Sequence, residues 1–145
     1  KEEDSDDGKS KSNANAGEEV VLPQLYKMKF VGHASQQTIK GVGFWGPHSE
    51  FVVSGSDDAN TFIWDTETGK LLNVLQGHDD VVNCVVGHPR IPILATSGID
   101  DIIKLWDPSG PTPDPAQVEA RIQTVVSQNS SENRRMRHGI QCAQQ

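Results

Sequence analysis

Residues 51–65 read FVVSGSDDANTFIWD, and residues 93–107 read ILATSGIDDIIKLWD. Setting Trp64 on Trp106 brings Ser54 onto Thr96, Asp58 onto Asp100 and Asp65 onto Asp107, each pair 42 residues apart. Upstream, each copy is introduced by Gly-His: Gly32-His33 and Gly77-His78, 45 residues apart. The spacings differ because the first copy has three more residues between its His and its Ser. Self-similarity at this period marks a supersecondary unit that buries its apolar faces only by stacking on neighbours.

Within each copy the apolar runs have strand length and are bounded by turn formers. Thr38–Phe44 is expected to be an inner strand, followed by a turn at GPHS, residues 46–49. Phe51–Ser54 begins with three consecutive apolar residues, as a strand covered on both faces would. A tight polar turn at Asp57–Asn60 leads into a third strand, Thr61–Trp64, and TETG, residues 66–69, turns into an outer strand at Lys70–Gln76. The second copy repeats the order with Val81–Val86, Ile93–Thr96 and Ile102–Trp106. Ahead of the first Gly-His, Tyr26, Met28 and Phe30 alternate with Lys27 and Lys29, the period of a strand with one wet face.

The chain has 145 residues, enough for one modest domain, and its hydrophobic content of 34% is low enough to expect an unpacked portion. A net charge of −7 argues against nucleic acid or an anionic membrane as the main partner. Residues 1–19 carry seven acidic and three basic residues and no aromatic, and are expected to be a disordered acidic linker. The chain opens at Lys1 without a Met and is expected to be a piece of something longer. Cys84 and Cys142 stand in unlike contexts, which points away from a disulfide and to an intracellular setting, nucleus or cytoplasm. Cys84, inside VVNCVV, is expected to be a small core hydrophobe. No apolar run reaches the ~18 residues of a membrane-spanning helix.

After Asp107 the repeat pattern stops, and PSGPTPDP at 108–115 is rich in breakers, with 109–114 expected to be a linker. Asp114 then serves as an N-cap before Pro115 and Gln117 as the capping-box partner. Val118, Ile122, Val125 and Val126 follow at helical spacing, predicting a short helix over 115–127. Its apolar stripe is narrow. Residues 128–145, with Arg134, Arg135, Arg137 and His138, are expected to form a flexible basic tail.

The recurring polar residues admit two readings. His33, Ser54 and Asp58 are the residue types of a hydrolytic triad, and His78, Thr96 and Asp100 repeat them. Duplication in adjacent repeats speaks against catalysis, and a structural need supplies the other reading. A Trp buried between stacked sheets needs an acceptor for its indole N–H. A neighbouring hydroxyl can accept it, an imidazole can bond that hydroxyl, and a turn aspartate can hold the imidazole, leaving few buried groups unpaired. Metal and cofactor chemistry have little support. His48 and His88 sit in the turns GPHS and GHPR, no Cys-x-x-Cys or His-x-x-x-His spacing occurs, and GVGFWG is not followed by a helix.

The Gly-His to Trp-Asp unit resembles a WD-repeat propeller blade. That resemblance implies an all-β fold over 20–108: a partial β-propeller of two complete blades plus the outer strand of a preceding one, from a ring of about seven blades. It also implies two structural tetrads, His33/Ser54/Asp58/Trp64 and His78/Thr96/Asp100/Trp106. Loops bearing Gln36, Gln37, Asp79 and Asp80 become the candidate partner surface. Finer pieces are similar to one subfamily: Thr38-Ile39-Lys40 after Gly-His, SEFVVSGSD, VVNC with HP downstream, and ATSGID before IK-x-W-x-P. These resemble the last blades of WD-repeat substrate receptors of cullin-RING ubiquitin ligases of the cullin-four type, including relatives with tetratricopeptide repeats. The resemblance implies a non-enzymatic module that recruits substrate proteins, with other subunits transferring ubiquitin. A generic scaffold for signalling, chromatin or RNA assemblies is the alternative. Such receptors usually meet the ligase adaptor through an Arg two residues after Trp-Asp. Here the candidates read Trp64-Asp65-Thr66-Glu67 and Trp106-Asp107-Pro108-Ser109, without that Arg.

Overall fold

The computed structural model describes residues 25–142, with side chains described for 25–132. The expected acidic linker at 1–19 lies outside the described residues. Four strands form the first sheet in sequence order: β1 (Val42–Trp45), β2 (Phe51–Gly55), β3 (Asn60–Asp65) and β4 (Leu71–Gln76). Three more, β5 (Val82–Gly87), β6 (Leu94–Gly98) and β7 (Ile103–Trp106), form the second. All neighbouring pairs are antiparallel, and Trp64 stands opposite Val52 as Trp106 stands opposite Leu94. This is a partial β-propeller of two blades.

The first sheet is sandwiched, and the alternation along β2 and β3 shows how. Val52, Phe62 and Trp64 face one side, together with Val74 of β4. Val53 and Ile63 face the other, where they pack against Val82, Val85 and Leu94 of the second sheet. The two blades approach closely at Gly55, where a Cβ would run into the Val82 carbonyl oxygen. That approach lets the Val82 N–H donate to the Ser56 carbonyl at 3.0 Å, so a bare backbone position here serves the blade interface.

The remaining face of the first blade is covered in part by α1 (Pro115–Cys142), which lays Ile122 and Val125 on Val52, Phe62, Trp64 and Val74. Asp114 Oδ1 accepts the Ala116 N–H at 2.9 Å, satisfying one of the free donors at the helix start.

Four sequence expectations change here. The helix runs through the residues expected to be a flexible tail, as far as Cys142; Gln128–Ser131 are polar, but none is a helix breaker. Tyr26–Phe30 lies outside every sheet of the described residues: no strand among them stands beside it to supply a ladder. The second blade has three strands, because after β7 the chain leaves through prolines for the helix instead of returning as an outer strand. Cys84 is exposed: a bulge between Val82 and Cys84 sends it to the open face, away from buried Val82 and Val85. That open face also carries exposed Val86, Ile103 and Leu105.

Candidate functional site

The polar residues of the second repeat form one connected chain. Asp100 stands in the β6–β7 turn, Thr96 on β6, Trp106 at the end of β7, and His78 in the segment leading into β5. The Trp106 indole N–H donates to Thr96 Oγ1 at 2.8 Å. Thr96 Oγ1 lies 2.8 Å from His78 Nε2, and His78 Nδ1 lies 2.7 Å from Asp100 Oδ2. Since a carboxylate only accepts, Nδ1 carries the proton; a neutral ring then leaves Nε2 to accept from the Thr96 hydroxyl. Burial alone would push the Asp100 carboxyl up, but the hydrogen bond from His78, the Asp79 N–H and the nearby Lys104 charge outweigh it and hold it below the ordinary carboxylate range.

In connectivity this resembles nucleophile, base and orienting acid. Thr96 is only 1% exposed, however, and its oxygen already accepts the indole proton, so no reacting atom can approach it. The arrangement is a buried strut between strands.

The same residue types in the first repeat are wired differently. The Trp64 indole N–H donates to the Val31 carbonyl at 3.0 Å, and the Ser54 hydroxyl donates to the Gly55 carbonyl at 3.0 Å. Asp58 Oδ2 accepts from Asn129 Nδ2 of α1 at 2.7 Å. His33 packs edge-on to Trp64, ring centroids 5.5 Å apart, and its Nδ1 is buried without a partner. Burial pushes the His33 imidazole down from its ordinary value, against the pull of Asp58 and Asp57. Ser54, His33 and Asp58 are therefore not linked as nucleophile, base and acid. The role of Asn129 was invisible in the sequence: one Asn in a polar run carries no periodic signal, and it becomes a partner only once α1 has docked.

The exposed loops of the two repeats enter inner strands β1 and β5 from the same end. Gln36 and Gln37 donate their backbone N–H groups to Asp57 Oδ2, at 2.5 and 3.0 Å. Lys40 forms an ion pair with the other oxygen of that carboxylate. These donors outweigh the burial that would raise the Asp57 pKa and bring it below the usual range. Asp79 donates its N–H to Asp100 at 3.3 Å, and Asp80 accepts the Val81 N–H at 2.7 Å, which leaves both carboxylates on an exposed turn. Thr38 Oγ1 bonds Asn83 Oδ1 at 2.5 Å and ties the first loop to β5. The result is an amide-bearing loop, held through its backbone by Asp57, beside an acidic turn; Gln36, Gln37, Asp79 and Asp80 are all exposed.

Among the described residues no group of three or more His, Cys, Asp or Glu is placed to hold a metal ion, and no helix is long and apolar enough to cross a membrane.

Comparison with known proteins adds to this geometry. The family described as WD domain, G-beta repeat matches residues 24–65 and 69–107. The chain is 37% identical to WD and tetratricopeptide repeats protein 1 of Homo sapiens over 130 residues, 87% of this chain and 19% of that protein. It is 46% identical to Protein ALTERED SEED GERMINATION 2 of Arabidopsis thaliana over 88 residues, 60% of this chain and 12% of that protein. It is 49% identical to DDB1- and CUL4-associated factor 6 of Homo sapiens over 85 residues, 58% of this chain and 10% of that protein. The chain thus spans about a fifth or less of the length of these relatives.

Proposed function

The chain belongs to the WD-repeat family, and from that premise we propose that it is part of a substrate receptor of a cullin-RING ubiquitin ligase of the cullin-four type. The observation that carries this reading is the 49% identity to a protein whose name associates it with DDB1 and CUL4. The module binds proteins and leaves ubiquitin transfer to other subunits, in the nucleus or the cytoplasm. Substrate proteins are met by the loops bearing Gln36, Gln37, Asp79 and Asp80. Trp64-Asp65 and Trp106-Asp107 are followed by Thr66-Glu67 and Pro108-Ser109, without an Arg two residues on. Contact with the adaptor therefore falls to other repeats of the full-length protein.

The test is affinity capture of the full-length protein from cells, with and without Asp79→Lys/Asp80→Lys. Both forms are expected to recover DDB1 and CUL4, and the loop variant to lose a set of co-purifying proteins. Absence of DDB1 from the unaltered protein contradicts the receptor reading and leaves a scaffold for other assemblies.

A further inference from the structure

The two blades meet face on face, and the repeat register identifies each face. The second blade brings Val82, Val85, Leu94 and Trp106; the first receives them on Val53 and Ile63. The 42-residue spacing carries each side of that contact onto the other blade. Leu94 and Trp106 correspond to Val52 and Trp64, and Val53 and Ile63 correspond to Ala95 and Leu105. Each blade therefore carries both mating faces, on opposite sides of its sheet. One of each is used where the blades meet, and one of each is left over.

The two left-over faces differ in what covers them. On the second blade, Leu105 and Ile103 are 71% and 74% exposed. On the first, Ile122 and Val125 of α1 lie on Val52 and Trp64, together with Phe62 and Val74. The helix thus fills, for the first blade, the position that Val53 and Ile63 fill for the second. A single helix is narrower than a sheet, and it leaves the inner strand bare. Val42 stands opposite Ser54 as Val85 stands opposite Thr96. Val85 is buried against the first blade, whereas Val42 is 70% exposed, as is Phe44 beside Val52 at 67%. A cavity of about 280 Å³ is lined there by Val42, Val52, Ser54 and Trp64 among others. Apolar side chains left in water on such a face favour a fitting surface that removes them.

We propose that α1 is a cap: it stands in for a blade on the first blade's stacking face and keeps a second copy of this chain from docking there. What it excludes is the Ile103/Leu105 face of that copy, because the same two faces, in the same register, already pack once inside the chain. Such a contact joins unlike faces, so uncapped copies add head to tail. With the cap in place, each chain offers only its Ile103/Leu105 face, and two such faces are not the pair that fits.

The test is sedimentation equilibrium on two forms of the 145-residue chain. One is the unaltered chain, with its cap in place and Leu105 open. The other carries Ile122→Glu and Val125→Glu, which free the first blade's face, and Leu105→Glu, which closes the second's. Each alone is expected to have the mass of one chain. Mixed, they are expected to have the mass of two, because one open face of each kind is then present. With Leu105 restored, the cap variant is expected to grow past two chains as concentration rises. A mixture that stays at one chain, with circular dichroism retained, overturns the cap. Self-association of either form alone overturns it too, since the capped or the charged face then has a partner other than the one assigned. Ile122→Ala/Val125→Ala, with Leu105→Glu, is the milder second variant. If both variants unfold and neither recovers its circular dichroism on mixing with the unaltered chain, a blade face is unable to replace the helix and the cap is again overturned.

Discussion

In the second repeat His78 stands between Thr96 and Asp100 and completes a chain that starts at the Trp106 indole. In the first, Asp58 is bonded by Asn129, Trp64 by Val31 and Ser54 by Gly55, while His33 keeps a buried nitrogen unpartnered. The residue types match, with Ser for Thr, and the spacing matches except for three extra residues between His33 and Ser54; the surroundings differ. The second repeat closes on itself. The first has α1 against its outer strands and draws much of its packing from Ile122 and Val125. A repeated motif therefore specifies which bonds are possible, and the element packed beside it decides which are made.

That contrast can be broken most forcefully at the helix. Ile122→Ala is expected to cost about 2–5 kcal/mol, the range for truncating a buried Ile. Trp64, 1% exposed beneath the helix, should then gain access to solvent. Denaturant unfolding followed by tryptophan emission checks both. An unchanged midpoint would show that the first blade does not depend on α1.

The next largest effect separates the hydroxyls. Thr96→Val leaves both the Trp106 N–H and a His78 nitrogen without a partner, at about 1–3 kcal/mol for each buried group. Ser54→Ala removes only a bond to the adjacent Gly55 carbonyl and should cost about 1 kcal/mol or less. Melting temperatures of the two variants, compared side by side, test the ordering. Equal losses would mean that the two networks bear similar weight.

Acid should act in two pH ranges, the upper one through His33 of the first repeat and the lower one through carboxylates of both repeats. His33 has a depressed pKa in the fold, so unfolding takes up a proton below its ordinary value of 6.5. Its contribution is complete above that pH and is lost as pH falls through the folded value. Asp100 is also depressed, so its contribution is present above 3.8 and is lost as pH falls toward its lower folded value. Asp57, Asp65, Asp107 and Glu50 share that direction and add to the second loss. Urea midpoints across pH should decline in two stages. His33→Gln should remove the first stage, and Asp100→Asn should only reduce the second.

The smallest effect is in the turns. Ala59, in the turn after β2, has φ +64°. An L-residue with a side chain is strained there, so Ala59→Gly should raise stability by about 0.5 kcal/mol after the entropy of glycine is subtracted. Its counterpart in the second repeat, Asp101, is not in the left-handed region, and Asp101→Gly should be neutral or destabilising. Thermal melts of both check the sign.

The strands were legible in sequence because their cue is local. Val52 and Val53 face opposite sides, as period two requires, and Trp64 and Trp106 fall in matching registers. The helix start was legible at Asp114-Pro115. What escaped depends on geometry between distant segments. The Cys84 side was set by a bulge that composition does not announce. The length of α1 was hidden because residues after Ser127 have no apolar rhythm. The wiring of Asp58 depends on Asn129, 71 residues away. Periodicity reports which way a residue faces; it does not report which of two donors reaches a carboxylate first.

The most direct measurement is a pair of double-mutant cycles in the same chain, His78→Ala with Asp100→Ala and His33→Ala with Asp58→Ala. Structurally, the first pair is bonded at 2.7 Å, whereas in the second Asp58 is bonded by Asn129 and His33 Nδ1 has no partner. A clear coupling for His78–Asp100, with none beyond experimental error for His33–Asp58, is the predicted result. Equal couplings in the two repeats would contradict it.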